Sequence, residues 1–190
     1  MNLLLEAAWE LHQVLAAHQL RYALIGGVAV QFWGPARQTA DVDAAVLVEP
    51  GRESEVAGLL ARAFDVRRPD AVEFSLRHRV LLLRARGLCD LDISFALPGF
   101  EEQVMDRAAD LQIGPERCVR ICSAEDLVIY KSVAARPQDL ADIRGVLTRQ
   151  RGALDLSYIR RWLRELAELA DRPEIFEQFE AVAARSIRSP

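Results

Sequence analysis

Apolar residues recur every three or four positions at Leu3, Leu4, Ala7, Ala8, Leu11, Val14 and Leu15, which predicts an amphipathic first helix ending before Tyr22. The period then changes. Tyr22 to Ile25 is a short continuous apolar run of the kind a buried strand shows, and Gly26-Gly27 closes it. Val28, Ala29, Phe32 and Trp33 suit a short helix that starts at the glycines and stops at Gly34-Pro35. After the linker Ala36 to Ala40, the period from Asp41 to Val48 is two. Val42, Ala44, Val46 and Val48 share one face of that predicted strand, and Asp41 and Asp43 share the other.

Glu53 to Phe64 reads as a helix, and Ala71 to Leu76 and His78 to Ala85 read as strands separated by a tight turn or bulge. Arg86-Gly87 precedes a further strand, Leu88 to Phe95. In it Asp90, Asp92 and Ser94 face one way and Leu91, Ile93 and Phe95 the other. Pro98-Gly99 ends this run, and Glu101 to Ala109 is predicted helical. Cys118 to Ile121 is an extended segment leading to Ser123, which caps a helix running to about Ala135 with Asp126 three residues into it. Arg136-Pro137 breaks that helix, and Asp139 to Arg149 forms the next. Its Asp139 and Asp142 share a face and are read as partners for arginine, on the helix surface or between helices. Helices near Leu156 to Leu169 and Pro173 to Ala184 complete the chain. The order predicts an α/β (α+β) fold: a mixed, twisted sheet with Asp41, Asp43 and Asp92 on adjacent strands, helices packed behind it and a C-terminal helical extension. Residues 1–118 would form the core and 119–190 the helical region.

A chain of 190 residues is long enough to bury its own core. No stretch approaches the roughly 18 to 20 consecutive apolar residues of a membrane span, and no basic flank precedes the Leu-rich start, so the expected compartment is the cytoplasm. Cys89, Cys118 and Cys122 lack a Cys-x-x-Cys or His companion and are expected to be buried, reduced thiols rather than zinc ligands. The net charge of -4 gives no general attraction to nucleic acid and does not choose a substrate. Lys131 is sharper: it is the single lysine among 24 basic side chains. In an arginine background, a lone lysine points to a site that wants a compact ammonium rather than a planar guanidinium.

Asp41 and Asp43 lie about 7 Å apart at Cα on one strand face, where two carboxylates can share a hard cation. Gly26 and Gly27 give the preceding turn backbone angles closed to other residues and leave amides free to approach a phosphate. Together they describe a holder for a metal-bound polyphosphate. A third carboxylate would come from the Leu88 to Phe95 strand, where Asp90 and Asp92 compete. Leu91-Asp92-Ile93 has the apolar-acid-apolar setting of a buried strand and is favoured, with Asp90 left as a solvated edge residue. Arg37 and Thr39 either orient the acidic turn, touch phosphate or cap the loop. His12, His18 and His78 occur singly and receive no chemistry.

These residues resemble the nucleotidyltransferase superfamily that includes DNA polymerase beta. Its signature, an apolar residue with Gly-[Gly/Ser] and then Asp-apolar-[Asp/Glu]-apolar, is matched by Ile25-Gly26-Gly27 and, after thirteen residues, Asp41-Val42-Asp43-Ala44. Within it the chain is most similar to the AbiEii-like and minimal nucleotidyltransferases of bacterial toxin-antitoxin systems. The matching features are Arg37-Gln38-Thr39-Ala40-Asp41-Val42-Asp43, Glu125-Asp126-Leu127, Lys131 and Arg136-Pro137-Gln138-Asp139-Leu140-Ala141-Asp142-Ile143. The last forty residues match nothing specific.

The resemblance implies a nucleotidyltransferase fold and transfer of a nucleoside monophosphate from a nucleoside triphosphate. Asp41 and Asp43 would hold magnesium, and Asp92 would ligate a second magnesium ion or polarise the incoming hydroxyl. The Gly26 and Gly27 amides would cradle the phosphates, Lys131 would add fixed charge, and Arg37 and Thr39 would border the nucleotide. The implied acceptor is an RNA end or a partner protein, with a toxin, an antitoxin or a second copy of the chain as assembly partner and ATP among the expected donors. Two rivals share these motifs: transfer to a small molecule of the aminoglycoside kind, and a non-catalytic protein that binds nucleotide or a partner.

Overall fold

The computed structural model describes residues 2–86 and 89–188, with side chains through Ser186. The chain divides into two compact units. One runs from the N-terminal stretch through Val28 and from Gln38 through Cys122, and the other takes Ala29–Arg37 and everything from Ser123 onward.

The first unit is built on strands. Helix α1, Leu3–Ala17, is capped by the Asn2 side chain and buries Ala7, Ala8, Leu11 and Leu15, the stripe its periodicity predicts. Strand β1, Tyr22–Leu24, leads into α2, Gly26–Trp33, whose first turn belongs to this unit. Strand β2 spans Asp41–Leu47, α3 Glu53–Ala63, β3 Asp65–Val66, α4 Ala71–His78, β4 Val80–Arg84 and β5 Asp90–Ala96. Helix α5, Phe100–Arg107, and the hairpin of β6, Ala109–Gly114, with β7, Arg117–Ile121, complete it. Among the described residues the strands form one seven-stranded mixed sheet in the order β3-β4-β5-β2-β1-β7-β6. The centre of the sheet positions the site. Strands β2 and β5 run parallel, with Asp41 opposite Asp90 and Asp43 opposite Asp92, while β1 flanks β2 antiparallel and β4 flanks β5 antiparallel. Val42, Ala44, Val46, Leu91, Ile93 and Phe95 are buried on one face; burial alternates from Asp41 to Ala44 and from Asp90 to Phe95, which leaves the four aspartates on the opposite face.

Three expectations change. Ala71 to Leu76 is helical within α4, although Val72 to Leu76 alternates as a strand would. Helical spacing wins because Ala71 and Ser75 are the buried pair, the Phe74 and His78 rings meet at a tilt one turn apart, and Arg79, in the left-handed region at φ 56°, closes the helix on Ser75. The helix predicted over Glu101 to Ala109 ends at Arg107, and Ala109 opens β6. The strand predicted from Leu88 is described from Asp90; Gly87 and Leu88 lie outside the described residues. The cysteines carry no disulfide: Cys89 and Cys122 are buried as expected, and Cys118 is partly exposed.

The second unit is helical. It contains the rest of α2, then α6, Ala124–Ala134, α7, Pro137–Arg149, α8, Leu156–Leu169, and α9, Glu174–Arg188. Ser123 caps α6 by accepting from the Asp126 amide at 3.1 Å. Ala135 adopts φ 52° to end α6, and Pro137 starts α7 at the one place where its missing N–H is harmless. Ile143, Val146, Ile159, Leu163, Ile175 and Phe179 are fully or almost fully buried.

Candidate active site

The parallel pairing of β2 with β5 brings three carboxylates together: Asp41, Asp43 and Asp92 each offer an oxygen within 4.8 Å of the others. Hydrogen bonds orient two of them. Thr39 Oγ1 donates to Asp41 Oδ1 at 2.8 Å, and the Gly27 amide donates to Asp43 Oδ2 at 3.3 Å. The diglycine turn is shaped by this packing. Gly26 sits at φ 58°, where a Cβ would fall 1.9 Å from Asp43 Oδ2, and a Cβ on Gly27 would fall 2.2 Å from Thr39 Oγ1. Glycine is required at Gly26 by contact with Asp43 of the acidic strand and by backbone conformation, and at Gly27 by contact with Thr39 of the linker before that strand.

Asp90 is not a solvated edge residue, since β5 is an interior strand. Its carboxylate accepts from Arg84 Nε at 2.7 Å and Arg67 Nη1 at 2.6 Å, and these guanidinium groups, Arg84 first, hold it below the usual carboxylate range. Arg67 also donates through Nη2 to Asp92 Oδ1. Burial pushes the Asp92 carboxyl up, the nearby Asp41 and Asp90 charges add to this, and Arg67 opposes it. The site therefore holds an arginine that the sequence does not announce: Arg67 follows the two-residue β3 and is 25 residues from Asp92. Its only local mark is the neighbouring Arg68, which turns instead to Asp70.

Arg37 and Lys131 lie in the second unit. Lys131 is almost completely buried, with Nζ 2.8 Å from Asp139 Oδ1 and 3.1 Å from Asp142 Oδ2. Arg37 meets Asp142 through two parallel bonds, Nε to Oδ1 at 2.9 Å and Nη2 to Oδ2 at 3.0 Å. Arg136 Nε donates to Asp139 at 2.9 Å. Asp139 and Asp142 are therefore buried inter-helix partners, not surface groups, and they serve the lysine as well as arginine. Burial alone would raise both carboxyls. The bonds from Lys131 and Arg136 to Asp139, and from Arg37, Gln138 and Lys131 to Asp142, outweigh it and hold both low.

The family described as "Nucleotidyltransferase of unknown function" (DUF6036) matches residues 2–180. The chain belongs to this family. Membership implies a nucleoside triphosphate as substrate, and the aspartate triad is consistent with catalysis. No curated protein sequence matches the chain. Solved structures share its fold. An antigenic nucleotidyltransferase-like protein from Paracoccidioides brasiliensis is similar over 94% of this chain and 92% of its own, at 18% identity and a TM-score of 0.54. The antibiotic-resistance factor ANT(2'')-Ia is similar over 88% of this chain and 96% of its own, at 17% identity and a TM-score of 0.55. Among the described residues of this nucleotidyltransferase, no helix is long and apolar enough to cross a membrane.

Proposed function

We propose that this nucleotidyltransferase uses magnesium to move a nucleoside monophosphate from a nucleoside triphosphate onto a hydroxyl of a macromolecule, either an RNA end or a partner protein. The observation that carries the reading is the convergence of Asp41, Asp43 and Asp92 beside a diglycine turn too tight for any side chain. Three carboxylates are hard oxygen donors of the kind magnesium takes, and the orientation of Asp41 by Thr39 and of Asp43 by Gly27 fits a prepared ligand set. Asp41 and Asp43 would hold the ion, and Asp92 would either join a second ion or draw the proton from the attacking hydroxyl. Magnesium, when bound, supplies positive charge against the triphosphate oxygens. The chain's own task is to hold the acceptor oxygen in line with the α-phosphorus, so that the new P–O bond forms as pyrophosphate leaves. Gly26 and Gly27 are assigned to the phosphate tail. Arg37 and Lys131 are assigned to the nucleotide as well, with Asp139 and Asp142 fixing both cations in place. In this division of labour residues 1–118 are the catalytic core and 119–190 the helical region.

The stretches Arg37 to Asp43 and Arg136 to Ile143, which resemble AbiEii-like proteins of toxin-antitoxin systems, support the macromolecular acceptor. A small-molecule acceptor is the second reading, favoured by the near full-length likeness in fold to an antibiotic-resistance factor. One experiment separates them. The protein is incubated with magnesium and each α-labelled triphosphate in turn, together with total RNA, cell extract or an aminoglycoside panel. Label is expected in RNA or a polypeptide. Label in a small product instead selects the second reading, and no label that depends on Asp41 and Asp43, judged against the Asp41→Ala, Asp43→Ala double variant, refutes both.

A further inference from the structure

Four anionic side chains share one face of the sheet at the β2–β5 pair, and a metal accounts for only three of them. Arg67 reaches the remaining one, Asp90, and at the same time takes an oxygen of Asp92, a member of the triad. We infer that Arg67 is a built-in counter-cation that holds Asp92 while no divalent ion is bound and gives it up when one arrives, withdrawing to Asp90. This rests on the metal-site reading proposed above.

Three features make the exchange workable. First, a second berth exists. Arg84 takes Asp90 Oδ1 at 2.7 Å, which leaves Asp90 Oδ2 to Arg67 at 2.6 Å, so the guanidinium keeps a carboxylate after releasing Asp92. Second, the arginine is incompletely satisfied where it stands, because its Nε is buried without a hydrogen-bond partner. A donor left in that state favours rearrangement. Third, the backbone is anchored independently of the side chain. The Arg67 amide donates to the Leu82 carbonyl at 3.1 Å, one residue beyond the β3–β4 pairing, so only rotamers need change for Asp92 to be released.

The electrostatics set the direction. Without a divalent ion the clustered carboxylates repel one another, and the guanidinium offsets part of that repulsion. Once a doubly charged ion sits among Asp41, Asp43 and Asp92, the same guanidinium is a like charge beside it. Arg67 therefore stabilises the metal-free site and weakens metal binding, which makes it a positioning residue rather than a ligand.

The test is calorimetric titration of magnesium, with paramagnetic resonance of manganese as a second probe, into nucleotide-free protein. Wild type is compared with Arg67→Met, Arg67→Lys, Arg84→Met and Asp43→Ala. Arg67→Met keeps the apolar stem and loses the charge, and is expected to bind either ion roughly tenfold more tightly, the scale of one neighbouring charge in a solvated site. Arg84→Met, whose guanidinium meets only Asp90 in this cluster, is expected to change affinity by less than about threefold. Arg67→Lys, with charge but no fork, should lie between, and it serves as the probe if the methionine variant does not fold. A melting temperature that is lower without metal and rises more on saturation is the matching signature of Arg67→Met. Unchanged or weaker metal binding by Arg67→Met, while wild type binds and Asp43→Ala does not, overturns the inference and leaves the metal site standing. Failure of wild type to bind either ion overturns both.

Discussion

Replacing Lys131 with methionine keeps the length of the side chain and removes the charge that faces two buried carboxylates. The Lys131 Nζ lies 2.8 Å from Asp139 Oδ1 and 3.1 Å from Asp142 Oδ2, with side-chain exposures of 11%, 3% and 3%. Removing one partner from a buried ion pair costs about 3–5 kcal/mol, because the other is left charged and desolvated. The lower end applies here, since Asp139 keeps Arg136 and Asp142 keeps Arg37 and Gln138. About 3 kcal/mol in a chain of this size corresponds to a fall of roughly 6–12 °C in melting temperature. Scanning calorimetry at neutral pH reads the change, and an Asp139→Asn cycle should return a coupling of about 1–3 kcal/mol. Acid supplies a further signature. Both carboxyls are held low in the folded protein, so they contribute stability that is present above the unfolded value near 3.9 and lost as the pH falls through the lowered folded values. The gap between wild type and Lys131→Met should narrow over that acid range. A fall of less than about 2 °C, or a gap indifferent to acid, would refute the structural role argued for the pair and leave phosphate contact as the lysine's only proposed task.

Gly26→Ala should uncouple activity from fold. Its Cβ would sit 1.9 Å from Asp43 Oδ2 and 2.7 Å from Asp43 Cβ at φ 58°, so Asp43 must move; a displacement of about 1 Å is expected to lower transfer roughly 100-fold, while the left-handed alanine itself adds about 1–2 kcal/mol to the cost of the clash in a melt. Tyr22 gives an alkaline prediction. Burial pushes its hydroxyl up to about 12, although the Arg120 amide donates to it at 3.1 Å. Because the unfolded phenol ionises first, near 10, stability should decline as the pH rises from about 10 towards 12, and Tyr22→Phe should remove that slope in urea melts while absorbance at alkaline pH loses one late-titrating tyrosine.

The acidic strand was readable because Asp41 and Asp43 alternate with Val42 and Ala44, and alternation is a property of a strand whatever lies beside it. The pairing that places Asp92 opposite Asp43 is a long-range fact, yet it could be guessed from the same alternation in Leu91-Asp92-Ile93. Helix α8 shows its bounds, Leu156–Leu169, in its own periodicity. Where two periods overlap, local reading fails: Val72 to Leu76 satisfies a strand pattern, and the Phe74–His78 ring contact with the burial of Ala71 and Ser75 decides for helix. Ala109, Leu111 and Ile113 do alternate, but the predicted helix took Ala109, and the two apolar positions left in a half-exposed β6 are too short a pattern to read as a strand. Ion pairs were the least legible. Nothing in the chain's many arginines distinguishes Arg67, and the partners of Lys131 lie beyond the Pro137 break, at a spacing no single helix could bridge.

The parallel union of β2 with β5 has a consequence for how this protein can be altered. The gap between Asp43 and Asp92 is fixed by ladder spacing, about 4.8 Å between neighbouring strands, and not by the chain that joins them. A parallel pair needs a long crossover, and here α3, β3, α4 and β4 supply it. Segments grafted into the exposed Gly51 turn at the head of that crossover should leave the three carboxylates in register. Deleting a single residue inside β2 or β5, by contrast, would turn an aspartate into the apolar layer and dismantle the cluster at one stroke.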